Sequence, residues 1–189
     1  MRKIILSQHA SLDGFVAGPS GEMDWIKVDE SMFDLVGAFT NEADTALYGR
    51  VTYEMMDGYW PTAGNEPNAS KHDVEHSTWY NNVEKIVISK SMQGTYKPKT
   101  KFIGENVANE VKKIKEQPGA NILIFGSPSA SHILMENNLI DEYWIFVNPI
   151  LLGKGIPLFA KIKDRATLEL ITSKTFDSGV IGLNYRLKK

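Results

Sequence analysis

A glycine and an arginine stand together where a strand-like run of the sequence turns into a helix-like run. Gly49 and Arg50 follow the apolar residues 45–48, and Thr52 lies in the first turn of the helix predicted over residues 51–59. A helix N-terminus presents unpaired N–H groups and a partial positive charge, and a guanidinium can pair with two phosphate oxygens. This junction is a candidate phosphate site, and the same residues also suit an ordinary helix cap with a surface arginine.

A second junction repeats this arrangement later in the chain. Residues 122–125 form an apolar run typical of a central strand, and Gly126, Ser127 and Ser129 follow it before the helix predicted over residues 129–137. Ligands of open α/β sheets bind outside the carboxyl ends of the strands. Two such junctions at one sheet edge could grip the two halves of a pyrophosphate, although serines here are also good helix caps.

A third polar segment, made of Ser89, Lys90 and Ser91, ends the strand predicted over residues 85–89. It combines a cation with two hydroxyl groups, which suits the 2′-phosphate of an adenine ribose, and a simple polar turn has the same composition. No G-x-G-x-x-G follows the first predicted strand, and the sequence contains no Walker motif. We therefore expect a nucleotide site assembled from several junctions.

A different motif, H-x-x-E-H, occurs at His72-Asp73-Val74-Glu75-His76. This spacing puts two histidines on one helix face, as in a class of zinc hydrolases. Such a site needs a third protein ligand, which the sequence does not identify. Ser70 and Asp73 also match an ordinary helix-capping pattern. We expect no metal site here and keep a zinc hydrolase as an alternative.

Strand-like and helix-like segments alternate along the chain, which predicts an α/β fold with a mixed, mostly parallel central sheet. The end of the sequence differs, because residues 168–176 and 180–187 flank the turn Asp177-Ser178-Gly179 and predict an antiparallel hairpin. No linker, repeat or low-complexity segment divides the sequence. We predict a single domain over residues 1–189.

The composition excludes several classes of site. The 189 residues include no cysteine, so disulfides, thiolate nucleophiles and cysteine-ligated metals are ruled out. A net charge of −2 gives no bulk attraction to nucleic acid or to an anionic membrane. No segment approaches the ~20 apolar residues that span a bilayer, and the first apolar run is too short for a signal peptide. We expect a cytoplasmic protein without nucleic-acid or membrane partners.

Four motifs in a fixed order carry a resemblance to a known family. They are residues 11–17, 49–54, 124–127, and 139–143 leading to 149–155. Together they resemble the reductase domain of the bacterial bifunctional riboflavin deaminase-reductase, within the dihydrofolate reductase-like fold. The resemblance covers nearly the whole chain. It implies a three-layer α/β/α architecture and an NADPH-dependent reductase whose reference substrate is 5-amino-6-(5-phosphoribosylamino)uracil.

The chain departs from that family pattern in one respect. It carries no deaminase segment and no cysteine for the zinc site of that domain. We therefore expect a stand-alone reductase, which puts the riboflavin-pathway substrate in question.

The resemblance also assigns cofactor contacts to particular residues. In the family, the loop after the first strand covers the nicotinamide, the two glycine junctions hold the phosphates, and the serine-rich turn contacts the 2′-phosphate. The NADPH-binding residues implied in this way are Val16, Ala17, Gly49, Arg50, Val51, Thr52, Ser89, Lys90, Ser91, Gly126, Ser127, Ser129 and Ala130.

The substrate side is less defined. Dihydrofolate reductases hold the pterin ring with a carboxylate on the first long helix, for which Asp34 is the nearest counterpart, and Asp13 lies in a better-matched motif. A solvated helix face and a simple turn are the alternatives for these two weak catalytic candidates. Trp25, Tyr53 and Trp60 are candidate walls for a planar substrate, or core residues.

The interpretation favoured by these residues is an NADPH-dependent oxidoreductase that passes hydride to a small heterocyclic substrate and acts as a homodimer. No catalytic residue is assigned, because the nicotinamide itself carries the hydride. A dihydrofolate reductase and a non-catalytic NADP-binding protein are the alternatives.

Overall fold

The computed structural model describes residues 1–160 and 162–188, along which strands and helices alternate. The strands are β1 (Ile4–Ser11), β2 (Phe15–Ala17), β3 (Ala43–Gly49), β4 (Glu84–Ile88), β5 (Thr100–Ile103), β6 (Asn121–Phe125), β7 (Glu142–Asn148), β8 (Ile156–Pro157), β9 (Leu168–Thr175) and β10 (Ile181–Leu187). The helices are α1 (Glu30–Asn41), α2 (Arg50–Ala63), α3 (Lys71–Asn82), α4 (Val107–Glu116) and α5 (Pro128–Glu136). In this described part of the chain, no helix has the length and hydropathy needed to span a membrane.

Eight strands form one sheet in the order β5-β4-β3-β6-β1-β7-β10-β9. The first six run parallel to one another, β10 is antiparallel to β7, and β9 is antiparallel to β10. In the middle strand β6, Ile122, Leu123 and Ile124 are fully buried, as expected for a strand covered on both faces. The predicted mixed, mostly parallel sheet with a C-terminal antiparallel hairpin is confirmed.

Helices cover both faces of this sheet. Successive strand residues point to opposite faces, so Ile4 packs with Val111 of α4 and Leu134 of α5, whereas Ile5 packs with Met32 of α1. Helices α2 and α3 also lie on the α1 side, where they share a second cluster with β3 and β4. The result is the three-layer α/β/α architecture expected from the sequence.

Two local features differ from the prediction. Strands β2 and β8 form a separate antiparallel pair in which Phe15 lies opposite Pro157, and the sequence predicted neither strand. Helix α2 continues to Ala63, beyond the predicted end at residue 59, and includes Pro61. The Asn81 amide of α3 donates to the Pro61 carbonyl at 3.2 Å, so tertiary packing stabilises this last turn.

A fully buried amide, Asn148, ties the segment before α1 to the end of the sheet. Its Oδ1 accepts from the Lys27 N–H at 2.8 Å, and its Nδ2 donates to the Phe146 carbonyl at 3.1 Å. The same Nδ2 lies 3.2 Å from Nδ1 of His9, whose ring stacks on Phe146. Burial lowers the pKa of His9 to about 4, so this ring is neutral at neutral pH and Nδ1 can accept the hydrogen bond.

We predict that the free energy of unfolding falls as the pH is lowered from about 6.5 towards about 4. Burial lowers the pKa of His9 to about 4. Burial is also the largest cause that lowers the pKa of His76 to about 3. In this window the unfolded histidines take up protons that the folded ones do not. Each histidine therefore removes about 1.4 kcal/mol of stability per pH unit, measurable by urea unfolding at several pH values.

The variant His9→Phe provides the comparison for this measurement. It removes one of three histidines whose pKa burial lowers, the others being His72 and His76, so the loss of stability per pH unit should become smaller. Ordinary carboxyl groups titrate at the lower end of this window, so the slope is measured above about pH 5, where they contribute little. A free energy of unfolding that stays constant through the window contradicts the prediction.

Candidate active site

The three predicted junctions follow neighbouring strands of the sheet. Strands β4, β3 and β6 are adjacent and parallel, so Ser89, Gly49 and Gly126 all lie at the carboxyl edge. In the register, Gly49 is opposite Ile88, the last residue of β4. Strand β1 is next in the order. The sheet therefore brings the candidate phosphate-binding segments side by side.

Gly49 and Ser127 join two of these junctions directly. The Gly49 N–H donates to the Ser127 hydroxyl at 2.5 Å. A Cβ on residue 49 would lie only 3.1 Å from the hydroxyl oxygens of both Ser127 and Ser129, and 3.7 Å from Ala130. Gly126 and Ser127 have φ values of 64° and 63°, in the left-handed region, which turns the chain from β6 into α5. Glycine at position 49 permits this close approach.

The first turns of α2 and α5 have no side-chain caps. Gly49 occupies the N-cap of α2, and Ser127 occupies the N-cap of α5, but its hydroxyl accepts from Gly49 instead of from its own helix. The cap expected from Ser127 is therefore not formed. Arg50 begins α2 with a half-exposed side chain that pairs with Glu54 at 3.0 Å. Unpaired backbone N–H groups beside a guanidinium suit a phosphate.

The third junction offers a cation at the surface. The Ser89 hydroxyl lies 3.2 Å from that of Ser91 and accepts from the Met92 N–H at 3.3 Å. Part of the hydrogen-bonding capacity of Ser89 is therefore used within the turn of residues 89–92. Ser89 is buried and Lys90 is exposed. The accessible charge of this segment is therefore the Lys90 ammonium group.

A cavity of about 520 Å³ opens beside these junctions, bounded by the sheet edge, helices α1 to α3 and the segment before α1. Its volume is within the range of small-molecule sites. The predicted site residues that line it are Val16, Ala17, Val51, Thr52, Trp60, Gly126 and Ser127. Lining residues that sequence reasoning missed include Gln8, His9, Met32, Phe33, Met55 and Met56.

Aromatic rings form the inner wall of this cavity, where α1, α2 and α3 meet. The ring centroids of Trp60 and His76 lie 4.0 Å apart. Those of Phe33 and His72 are also 4.0 Å apart, with the rings within 15° of parallel. Phe125, at the end of β6, meets the His76 ring edge-on at 5.5 Å. The wall therefore presents flat, mostly apolar surfaces to a ligand.

The two histidines of the H-x-x-E-H motif belong to this wall. Burial is the main cause that lowers the pKa of both His72 and His76, the latter to about 3. His76 is only 6% exposed, and its Nε2 has no hydrogen-bond partner. Among residues 1–160 and 162–188, no three His, Asp or Glu side chains are grouped to hold a metal ion. The third ligand that the zinc alternative requires is not found there.

A buried carbonyl oxygen lies at the sheet edge of the cavity. The Gln8 Nε2 donates to the His9 carbonyl at 3.2 Å, and the Gln8 Oε1 is buried without a partner. This oxygen would lie 3.8 Å from a Cβ on Gly126. Because a buried unpaired acceptor is unfavourable, a donor group on a ligand would stabilise this position.

The two candidate carboxylates lie outside the cavity lining. Asp13 accepts from the Ser11 hydroxyl at 2.6 Å and from the Gly153 N–H at 2.7 Å, and these hydrogen bonds, that of Ser11 first, lower its pKa. Asp13 thus joins two loops. Asp34 is exposed on α1, where it lies 3.5 Å from the Lys71 ammonium. These positions fit the simpler alternatives, a turn and a solvated helix face.

Two of the three candidate aromatic residues also lie away from the lining. Tyr53 is 2% exposed and packs against Tyr48 and Phe102 in the core. Trp25 donates its indole N–H to the Glu22 carbonyl at 3.0 Å within the segment before α1. Trp60 is the predicted aromatic residue that lines the cavity.

Comparisons with known proteins agree with this architecture. A family model described as the RibD C-terminal domain matches residues 2–182. The uncharacterized protein YyaP of Bacillus subtilis (strain 168) is 34% identical over 186 residues, which are 97% of this chain and 94% of that protein. The uncharacterized protein YwjB of the same organism is 30% identical over 180 residues, 95% of each chain.

Solved structures share the fold. A putative riboflavin biosynthesis protein from Shewanella sp. PV-4 superposes with a TM-score of 0.69 and 23% identity over 100% of both chains. A diaminohydroxyphosphoribosylaminopyrimidine deaminase/5-amino-6-(5-phosphoribosylamino)uracil reductase from Thermotoga maritima has a TM-score of 0.69 and 16% identity, and this chain spans 57% of its length. The resemblance stated from the sequence motifs is confirmed: with a family match over residues 2–182 and two full-length relatives, the chain belongs to the RibD C-terminal domain family.

Proposed function

We propose that this protein binds NADPH across the three junctions and transfers hydride to a small planar heterocycle held in the cavity. The observation that carries this proposal is the alignment of Ser89, Gly49 and Gly126 at one sheet edge, directly beside a cavity with aromatic walls. Membership in the RibD C-terminal domain family supports a reductase, as does the reductase named in the Thermotoga maritima neighbour.

The residues at this edge suit a nucleotide with a pyrophosphate and a 2′-phosphate. The uncapped first turns of α2 and α5, with Arg50 and Thr52, would hold the pyrophosphate, and Lys90 would pair with the 2′-phosphate. Val16 and Ala17 would pack against the nicotinamide. When bound, NADPH supplies the hydride.

The remaining cavity residues would orient the acceptor and exclude water. Apolar walls favour hydride transfer because they hold the reactants together and keep solvent away. Among the described residues, the lining includes no Asp or Glu, and Asp34 lies outside it. We therefore assign no side chain as proton donor, and the proton that completes the reduction would come from a water molecule. The position of Asp34 also counts against a dihydrofolate reductase, which needs a carboxylate against the substrate ring.

Acceptor-dependent oxidation of NADPH tests this function. The acceptors are 5-amino-6-(5-phosphoribosylamino)uracil, the same pyrimidine without its phosphate, and dihydrofolate. We expect oxidation with a pyrimidine and only background oxidation with dihydrofolate. Oxidation with dihydrofolate alone would assign the protein to the dihydrofolate reductases. Binding of NADPH without oxidation by any acceptor would favour a non-catalytic NADP-binding protein.

The variant Arg50→Ala is expected to weaken NADPH binding by about 1.5–3 kcal/mol, the contribution of a charge-assisted hydrogen bond to a phosphate. Arg50 stands at the start of α2 with a half-exposed side chain, so its removal should leave the fold intact. Calorimetric titration of both proteins with NADPH measures the difference.

Arg186→Ala is the matched control. Arg186 pairs with Glu169 on the C-terminal hairpin at 2.9 Å, as Arg50 pairs with Glu54, and it lies far along the sheet from the junctions. This control should bind NADPH like the native protein. Equal losses in both arginine variants would contradict the phosphate assignment.

A parallel titration with NADH tests the role of Lys90. Weaker binding of NADH than of NADPH is expected if the protein recognises the 2′-phosphate.

We further propose that the protein acts in the cytoplasm as a homodimer that covers the exposed hairpin. Its cysteine-free sequence suits a reducing compartment. On the edge strand β9, Leu168, Leu170 and Ile171 are 37%, 51% and 44% exposed. An uncovered apolar edge strand promotes association, and a second copy would bury it.

The double substitution Leu170→Lys with Ile171→Lys is expected to convert a dimer into a monomer, because it places charges on both faces of the edge strand. Sedimentation velocity of the native and variant chains measures this change. Val74→Lys, at a 45% exposed position on α3, is the control and should remain dimeric. A native chain that sediments as a monomer contradicts the proposal.

A further inference from the structure

The cavity wall lacks the charged groups that a phosphorylated substrate would require. Among the described residues, those that line the cavity include no Lys, Arg, Asp or Glu. The cations next to lining residues in the sequence are Lys27, Arg50 and Lys71, and all three lie outside the lining. Arg50 and Lys71 pair with Glu54 and Asp34, and Lys27 is exposed. Thr52, Gly126 and Ser127 line the sheet edge of the cavity, where the proposed pyrophosphate would bind. Against the rest of the wall, a phosphate would lose water without gaining a counter-charge, which is unfavourable.

The apolar character continues to the mouth of the cavity. Met23, Val28 and Met55 line it and are 39%, 47% and 46% exposed. Large apolar side chains grouped around a cavity entrance are typical of a surface that contacts a ligand. A ligand that enters this way passes over hydrophobic surface from the solvent to the inner wall.

The polar groups of the inner wall are neutral. The His72 ring stacks on Phe33, and the His76 ring lies tilted against Trp60. Burial lowers the pKa of both histidines, so the imidazoles carry no charge at neutral pH. The Gln8 amide is also uncharged, and its Oε1 has no partner. These groups can form hydrogen bonds with uncharged heteroatoms, while the flat rings and methionines contact the faces of a planar molecule.

We propose that the acceptor bound here is an uncharged aromatic heterocycle without a phosphate group, and not a phosphoribosyl compound such as the Thermotoga maritima neighbour's name describes. The inference rests on the proposed function only in taking the cavity as the acceptor site. Binding of the heterocycle can be measured without NADPH, so the two proposals are tested separately.

Quinoxaline, a neutral planar two-ring heterocycle, and 5-amino-6-(5-phosphoribosylamino)uracil are the two probes. Each is titrated calorimetrically into the full chain without NADPH. We expect quinoxaline to bind at least about tenfold more tightly, because it buries apolar faces and leaves no charge unpaired. Equal or tighter binding of the phosphorylated compound would overturn the proposal, and so would an absence of quinoxaline binding.

The variant Met55→Arg supplies the missing cation at the cavity mouth. Met55 is about half exposed, so the arginine can keep its head group in water and the fold should be retained. We expect the affinity for the phosphorylated pyrimidine to rise at least about fivefold relative to quinoxaline. Thermal unfolding checks that the variant is folded.

Val74→Arg is the matched control, since Val74 is 45% exposed on α3 and does not line the cavity. It should leave the affinities for both probes unchanged. If Met55→Arg gives no gain for the phosphorylated compound, or if Val74→Arg gives the same gain, the missing cation does not determine the ligand class and the proposal is overturned.

Failure of the proposed function has a different signature. Tight binding of quinoxaline together with unchanged NADPH affinity in Arg50→Ala would reject the cofactor assignment and leave the ligand class supported. Preferred binding of the phosphorylated pyrimidine together with weakened NADPH binding in Arg50→Ala would reject the ligand class and leave the cofactor assignment supported.

Discussion

The hydrogen bond from the Gly49 N–H to the Ser127 hydroxyl joins the ends of β3 and β6, and the polar edge of the site depends on it. Because this hydroxyl accepts from Gly49, it does not cap α5, and Gly49 has no side chain to cap α2. Two neighbouring helices therefore keep unpaired N–H groups at one place. A Cβ at position 49 would lie 3.1 Å from the hydroxyl oxygens of Ser127 and Ser129, so these serines would have to shift and the hydrogen bond would be disturbed.

The polar edge and the cavity differ in character, and the proposed reaction uses both. The edge would offer N–H groups and the cations Arg50 and Lys90 to the proposed cofactor, while the cavity would offer uncharged rings to the proposed acceptor. Asn148 supports the cavity wall, because its amide holds the segment before α1 against the end of β7. That segment contributes Met23 and Ile26 to the cavity wall. An apolar space beside a polar edge suits the proposed hydride transfer.

Much of the fold could be predicted from the sequence because strands and helices have different hydrophobic periods. The uninterrupted apolar run of residues 122–125 indicated a central strand, and the turn at Asp177-Ser178-Gly179 indicated the hairpin. The pairing of Phe15 with Pro157 could not be predicted, since two strands of two or three residues have no period and meet only through a long-range contact. The extension of α2 past Pro61 likewise depends on α3.

The sequence by itself determined the polar half of the candidate site, since glycine, arginine and serine at strand ends are recognisable from local order along the chain. Only the tertiary structure decided the apolar half. Tyr53 and Trp60 lie two helical turns apart on α2, yet Tyr53 packs in the core and Trp60 lines the cavity with Met55. A core and an apolar cavity need the same residue types at the same spacing. A core forms where the side chains of facing elements meet, and a cavity forms where they do not. Which of the two forms beside α2 depends on how α1, α2 and α3 pack together.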